Sequence, residues 1–184
     1  MPPEGGSEPV LAPGFAEAVR ALDPARVIFT GNAVPRSAAW NNAHEKWWVA
    51  DTADQYYEIL LRDNPNPFDS LSIHVYPDAK NVYAGGTKSI SELLRLTSEF
   101  AVKVRKPLFL GEFGVSARDG SVEKQKALLK EFFEGIRRNH VPLAAIWVFD
   151  PPFANDEFGI TFKNERSYML DLIAEANRAR AAAK

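Results

Sequence analysis

An α/β fold with parallel strands is the class this sequence predicts, and three observations predict it. Short apolar runs alternate four times with amphipathic stretches, after one leading amphipathic stretch. Alternation of that kind is the mark of a parallel sheet with right-handed crossovers. The run Ser70–Tyr76 is polar on one face (Ser70, Ser72, His74, Tyr76) and apolar on the other (Leu71, Ile73, Val75), whereas an open doubly wound sheet is apolar on both. The run Lys106–Gly114 sets a carboxylate, Glu112, between two glycines at the end of a buried strand. Together these predict half of a (β/α)8 TIM barrel. Four βα units would turn their polar strand residues inward, toward the carboxyl edge where such barrels build their sites.

The elements follow in order. Residues 1–14, rich in Pro and Gly, are expected to form a loose tail, and residues 15–184 one half-barrel domain. Phe15, Ala18, Val19 and Leu22 fall on one helical face, stopped by Asp23-Pro24. The first unit has a strand at Arg26–Thr30, a long loop, and a helix from about Asp51 to Arg62 with Thr52 and Gln55 as a capping box. The second has a strand at Asp69–Tyr76 and a helix facing inward through Ile90, Leu93, Leu94, Ala101 and Val104, with Ser89 and Glu92 as its capping box. The third has a strand at Pro107–Glu112 and a helix from about Ser121 to Asn139, with Leu128, Leu129, Phe132, Phe133 and Ile136 inward. The fourth has a strand at Leu143–Phe149 and a helix carrying Tyr168, Met169, Leu172, Ile173 and Ala176.

Composition narrows the function. A formal net charge of -2 gives no basic footprint, so no nucleic acid partner is expected. No apolar stretch approaches a membrane span, so no membrane partner is expected either. The start shows no charged segment followed by an apolar one, so no signal peptide is read, although a mature or truncated chain would look the same. The chain has no cysteine, and its three histidines (His44, His74, His140) lack metal-ligand spacing. No metal or organic cofactor is expected.

A buried carboxylate is costly when isolated, so Glu112 is either a member of an ion pair or a group kept for chemistry. In a parallel barrel Asn32, His74, Tyr76, Glu112 and Trp147 would converge at the carboxyl edge. A carboxylate held ionised by a neighbouring Tyr and His is oriented to attack an electrophilic carbon. Trp147 offers a flat apolar surface for a sugar ring, and Asp150, Asn155, Asp156 and Glu157 could hydrogen-bond hydroxyls. Trp40, Trp47 and Trp48 either line a sugar groove or, for the last two, staple the following helix.

These segments resemble the carboxyl-terminal half of a cellulase-like glycoside hydrolase of clan A, nearest to family 5. "DPARVIFTGN" is similar to that family's helix four into strand five, "FDSLSIHVYP" to strand six, "KPLFLGEFG" to strand seven and "AAIWVFDPP" to strand eight. The resemblance implies Glu112 as nucleophile, Tyr76 as its hydrogen-bond partner, His74 as a substrate contact and Trp147 as a stacking platform. It also implies a carbohydrate partner such as a β-glucan, and secretion. Two departures stand out. Strands one to four of such a barrel have no counterpart, and the family's Asn-Glu-Pro acid/base motif is matched only by Ser7-Glu8-Pro9. Four strands cannot close an eight-stranded barrel. A homodimer is therefore expected, with the last strand of each chain beside the first strand of the other. The alternatives are a carbohydrate-binding relic without activity and a purely structural half-barrel.

Overall fold

The computed structural model describes residues 11–151 and 157–182. The expected tail lies outside them except for residues 11–14, which are helical. Helix α1 (Leu11–Leu22) comes first, then the short α2 (Ala39–Ala43) and α3 (Ala53–Asp63). Strand β1 (Leu71–Val75), a 3₁₀ turn (Ala84–Gly86) and α4 (Ile90–Val104) follow. The chain continues through β2 (Leu108–Phe113), α5 (Val122–Arg138), β3 (Leu143–Ile146) and α6 (Tyr168–Ala182). The strands pair in parallel in the order β1-β2-β3. Each is followed by a helix, giving an α/β partial barrel.

The helices start where side chains can accept their free N–H groups. Thr52 and Gln55 form the expected reciprocal capping box of α3. Ser89 accepts from Glu92 N, while the Glu92 carboxylate reaches Lys88 N rather than Ser89 N. Ser121 caps α5. The core lies between sheet and helices. Leu71, Ile73, Val75, Leu108, Leu110 and Phe113 meet Leu93, Leu94, Phe100, Leu129 and Phe132. Tyr57 stacks on Phe100 with ring centroids 4.1 Å apart, joining α3 to α4. Gly135 lets α5 approach α4, since a Cβ there would lie 2.9 Å from a Leu94 methyl.

Three expectations are corrected. Among the described residues the sheet has three strands, not four. The segment 26–30 runs beside β1 without a ladder. The chain from this segment onward meets the β1 region at two points, Asp69 N to Ile28 O (2.9 Å) before the strand and Val34 N to His74 O (3.0 Å) near its end. Between these points the Asn64 side chain intervenes: its Oδ1 accepts from Ser72 N and Thr30 Oγ1, both at 2.8 Å. Ser72 N is the donor that a neighbouring strand would have used, because Leu71 N already points to Pro107 O on the β2 side. The second correction concerns α1. It buries Ala16, against Ile28 and Phe68, while Phe15 and Leu22 of the expected inner face are 64% and 89% exposed. The fourth strand is also shorter than expected, ending at Ile146, with Phe149 making only an isolated bridge to Ile160.

Candidate active site at the carboxyl edge of the sheet

Strand residues alternate between faces, so Leu108, Leu110 and Glu112 would share the helix-packed face of a regular β2. They do not. The register with β1 runs Ile73↔Leu110 and then His74↔Glu112, so Gly111 is an extra residue at an irregularity in the ladder. The slip turns Glu112 away from the face that buries Leu108 and Leu110, and gives the next inward position to Phe113. Glu112 then lies beside His74 and Tyr76. Tyr76 Oη donates to Glu112 Oε2 at 2.8 Å, and His74 Nδ1 lies 3.3 Å from the same oxygen. All three side chains are partly exposed, which leaves the carboxylate accessible from the mouth.

Both glycines flanking Glu112 are there for close approach. A Cβ at Gly111 would stand 2.8 Å from His74 Nε2, and one at Gly114 would stand 2.6 Å from the Trp147 carbonyl oxygen. Trp147 follows β3 and donates its N–H to Phe113 O at 2.8 Å. The Trp147–Val148 peptide is cis. The indole is 37% exposed. Phe158, which no sequence pattern singles out, packs its ring edge-on to Tyr76 at 5.2 Å and holds the phenol in place. A lone Phe in a polar loop gives no signal of that role.

The profile of the family described as Cellulase (glycosyl hydrolase family 5) matches residues 10–151. This chain belongs to glycosyl hydrolase family 5. Three solved structures illustrate the likeness in fold. The endo-β-1,4-mannanase from Thermotoga petrophila superposes with a TM-score of 0.64 at 16% identity, over 92% of this chain and 39% of that one. The endo-1,4-β-mannanase from Rhizomucor miehei gives 0.58 at 16%, over 91% and 46%. A triple mutant of an endo-β-1,4-glucanase from Xanthomonas axonopodis pv. citri gives 0.56 at 20%, over 95% and 57%. This family 5 chain thus spans about half the length of the structures it resembles, consistent with half of their barrel. No curated protein sequence matches it.

Within this family 5 fold the remaining candidates have partners other than Glu112. The Asn32 amide donates to the Asp63 carbonyl at the end of α3. Trp40 donates from its indole N–H to Glu58, stacks on His44 at 3.8 Å and lies under Lys46 Nζ. Its ring is thus occupied by its own loop. Asp150 is exposed, has φ +47°, and donates its N–H to Ile160 O. Glu157 pairs with Arg118 at 2.7 Å. Trp47 and Trp48 point outward rather than stapling α3, as their exposure shows. Glu8, Asn155 and Asp156 lie outside the described residues. Among the described residues no cluster of three or more His, Asp or Glu is placed to hold a metal, and no helix is long and apolar enough to cross a membrane.

Proposed function

We propose that this chain carries the nucleophile half of a retaining β-glycan hydrolase site. The observation that carries the reading is the single oxygen, Glu112 Oε2, approached by both Tyr76 Oη and His74 Nδ1 at the carboxyl edge. The Tyr76 hydrogen bond and the His74 ring beside the same oxygen fix the carboxylate plane, and Oε1 is the atom that attacks the anomeric carbon. Trp147 supplies the apolar platform for the ring, and Asp150 a polar contact to sugar hydroxyls. Retaining hydrolysis also needs an acid/base carboxyl about 5 Å from the nucleophile. That group belongs to the other half of the barrel.

The same reading extends to assembly. The outer edge of β3 has no partner strand among the described residues, and Leu143 on it is 58% exposed. At the opposite edge α1 exposes Phe15 and Leu22. A two-fold dimer would bring the edges together twice and close the barrel. A homodimer thus closes the barrel, with two copies of Glu112 around one mouth, and leaves Asp150 or the second Glu112 to serve as a makeshift acid in place of the Asn-Glu-Pro glutamate.

An activated substrate separates the nucleophile from the missing acid. With a 2,4-dinitrophenyl 2-deoxy-2-fluoro-β-glycoside, Glu112 Oε1 forms a bond to C1. The C1–O bond to dinitrophenolate breaks, and the phenolate leaves with the bonding pair without protonation. The β-cellobioside or the β-mannobioside is expected to add its glycosyl mass to the peptide containing Glu112, and Glu112→Gln is expected to abolish the label. Sugar binding without label would favour the binding-only relic, and neither binding nor label would favour the structural half-barrel.

A further inference from the structure

Between the ends of α4 and α5 the surface opens into a cleft of about 330 Å³. It lies at the amino edge of the sheet, where Leu108 opens β2 and Pro107 O accepts from Leu71 N at the start of β1. Glu112 stands at the opposite edge. The strand above the cleft is β2, the middle one of the three, so a second copy that closes the barrel at the outer edges leaves the cleft open. Its lining is mostly apolar: Ala101 and Val102 from α4, Pro107 and Leu108 at β2, and Pro142 ahead of β3. The walls are held in place. Lys106 N donates to Ala101 O at 3.1 Å and Val141 N to Ile136 O at 3.0 Å. Arg180 of α6 donates to Val141 O and Pro142 O at 2.9 and 2.7 Å.

The charged groups on this cleft are all of one sign. Arg105, Lys106 and His140 line it, and among the described residues no Asp or Glu does. Lys106 spends its ammonium on Asn64 O and Pro65 O, at 3.0 and 3.1 Å. The side chains of Arg105 and His140 have no such partner among the described residues. The Arg105 guanidinium stays charged throughout the ordinary pH range, and the His140 ring offers an N–H donor. Small-molecule sites are mostly apolar concavities, from about 300 Å³ upward, with a few placed polar groups. A sugar does not suit this lining, because its hydroxyls would face carbon and lose their hydrogen bonds. A hydrocarbon with one anionic end suits both the lining and the charge. We propose that the cleft binds a small amphipathic monocarboxylate, with its chain against Val102, Pro107, Leu108 and Pro142 and its carboxylate at Arg105 and His140. A preset cleft binds with little ordering cost, and binding here is independent of the chemistry at Glu112.

The test is calorimetric titration of the full chain with monomeric octanoate, with acetate as the head alone and octan-1-ol as the tail alone. Wild type is expected to bind one octanoate saturably and acetate not at all. Arg105→Asn removes the guanidinium while suiting the left-handed backbone at residue 105, φ +58°. It is expected to weaken octanoate about tenfold and leave octan-1-ol unchanged. Val102 is 79% exposed, so Val102→Asp sets a carboxylate on the cleft wall without disturbing the core. It is expected to weaken octanoate at least as much, with the melting temperature near wild type. Glu112→Gln is expected to bind octanoate as wild type does. No saturable binding of octanoate to wild type would overturn the site, as would equal affinity in wild type and Arg105→Asn. Acetate bound as tightly as octanoate would show an anion site without the apolar contact and overturn the proposed ligand. Loss of octanoate binding in Glu112→Gln would place the ligand at the other edge and overturn the site as well.

Discussion

In an unbroken strand Glu112 would point into the helix-packed core with Leu108 and Leu110, where an unpaired carboxylate is expensive. Gly111, the extra residue in the β1–β2 register, sends it to the mouth instead. The absence of a side chain at Gly111 also makes room for the His74 ring, because a Cβ would come within 2.8 Å of Nε2 and 3.0 Å of Cδ2. Gly111→Ala should therefore turn the imidazole and withdraw Nδ1 from Glu112. Labelling of Glu112 by the activated fluoroglycoside is expected to slow by about tenfold, equivalent to ~1.4 kcal/mol, with disaccharide affinity nearly unchanged. Labelling at the wild-type rate would show that His74 does not position the nucleophile. The motif Leu110-Gly111-Glu112-Phe113-Gly114 made the strand-end carboxylate and the close approach at its glycines legible. The bulge was not legible, because residue types alone do not show on which strand a ladder gains a residue. The contribution of Phe158 to Tyr76 depends on a contact 82 residues away in sequence, which no local pattern encodes.

At the scale of elements, helices were more legible than strands. Thr52 and Gln55 mark the start of α3 because their capping is local. Arg26–Thr30 has strand composition, but a ladder needs a partner with free donors, and Asn64 occupies the one on Ser72. The exposed stripe of α1 has a related cause: a hydrophobic stripe specifies that a face should be covered, not that the chain covers it. What fixes the segment after α1 is Asp69. Its carboxylate accepts from Ile28 N at 2.7 Å and from Arg20 at 2.6 Å. The Ile28 hydrogen bond first, then that from Arg20, holds its carboxyl below the ordinary value of 3.8. A depressed folded pKa stabilises the fold above the unfolded value and loses that contribution as pH falls through the folded one. The melting temperature of wild type is thus expected to fall more steeply below about pH 4 than that of Asp69→Asn. Thermal melts between pH 5 and 2 check this, and parallel curves would mean that the Asp69 latch adds nothing to stability.

The whole molecule is a barrel segment with two open sides. Apolar side chains stand on both: Phe15 and Leu22 on α1, and Leu143 on the outer edge of β3. An unpaired strand edge and exposed apolar faces invite association. The longer family 5 structures that share this fold contain about as much chain again. The half-barrel architecture was legible in the alternation of strands and helices and in the polar inward face of β1. The partner was not, because a sequence states what must be covered without naming the cover. In the proposed assembly the cover is a second copy of the chain, which places Glu112 in a closed mouth. Light scattering on a size-exclusion column measures this most directly. A single species of twice the chain mass is the predicted result, and a stable, well-folded monomer at the same concentrations would contradict it.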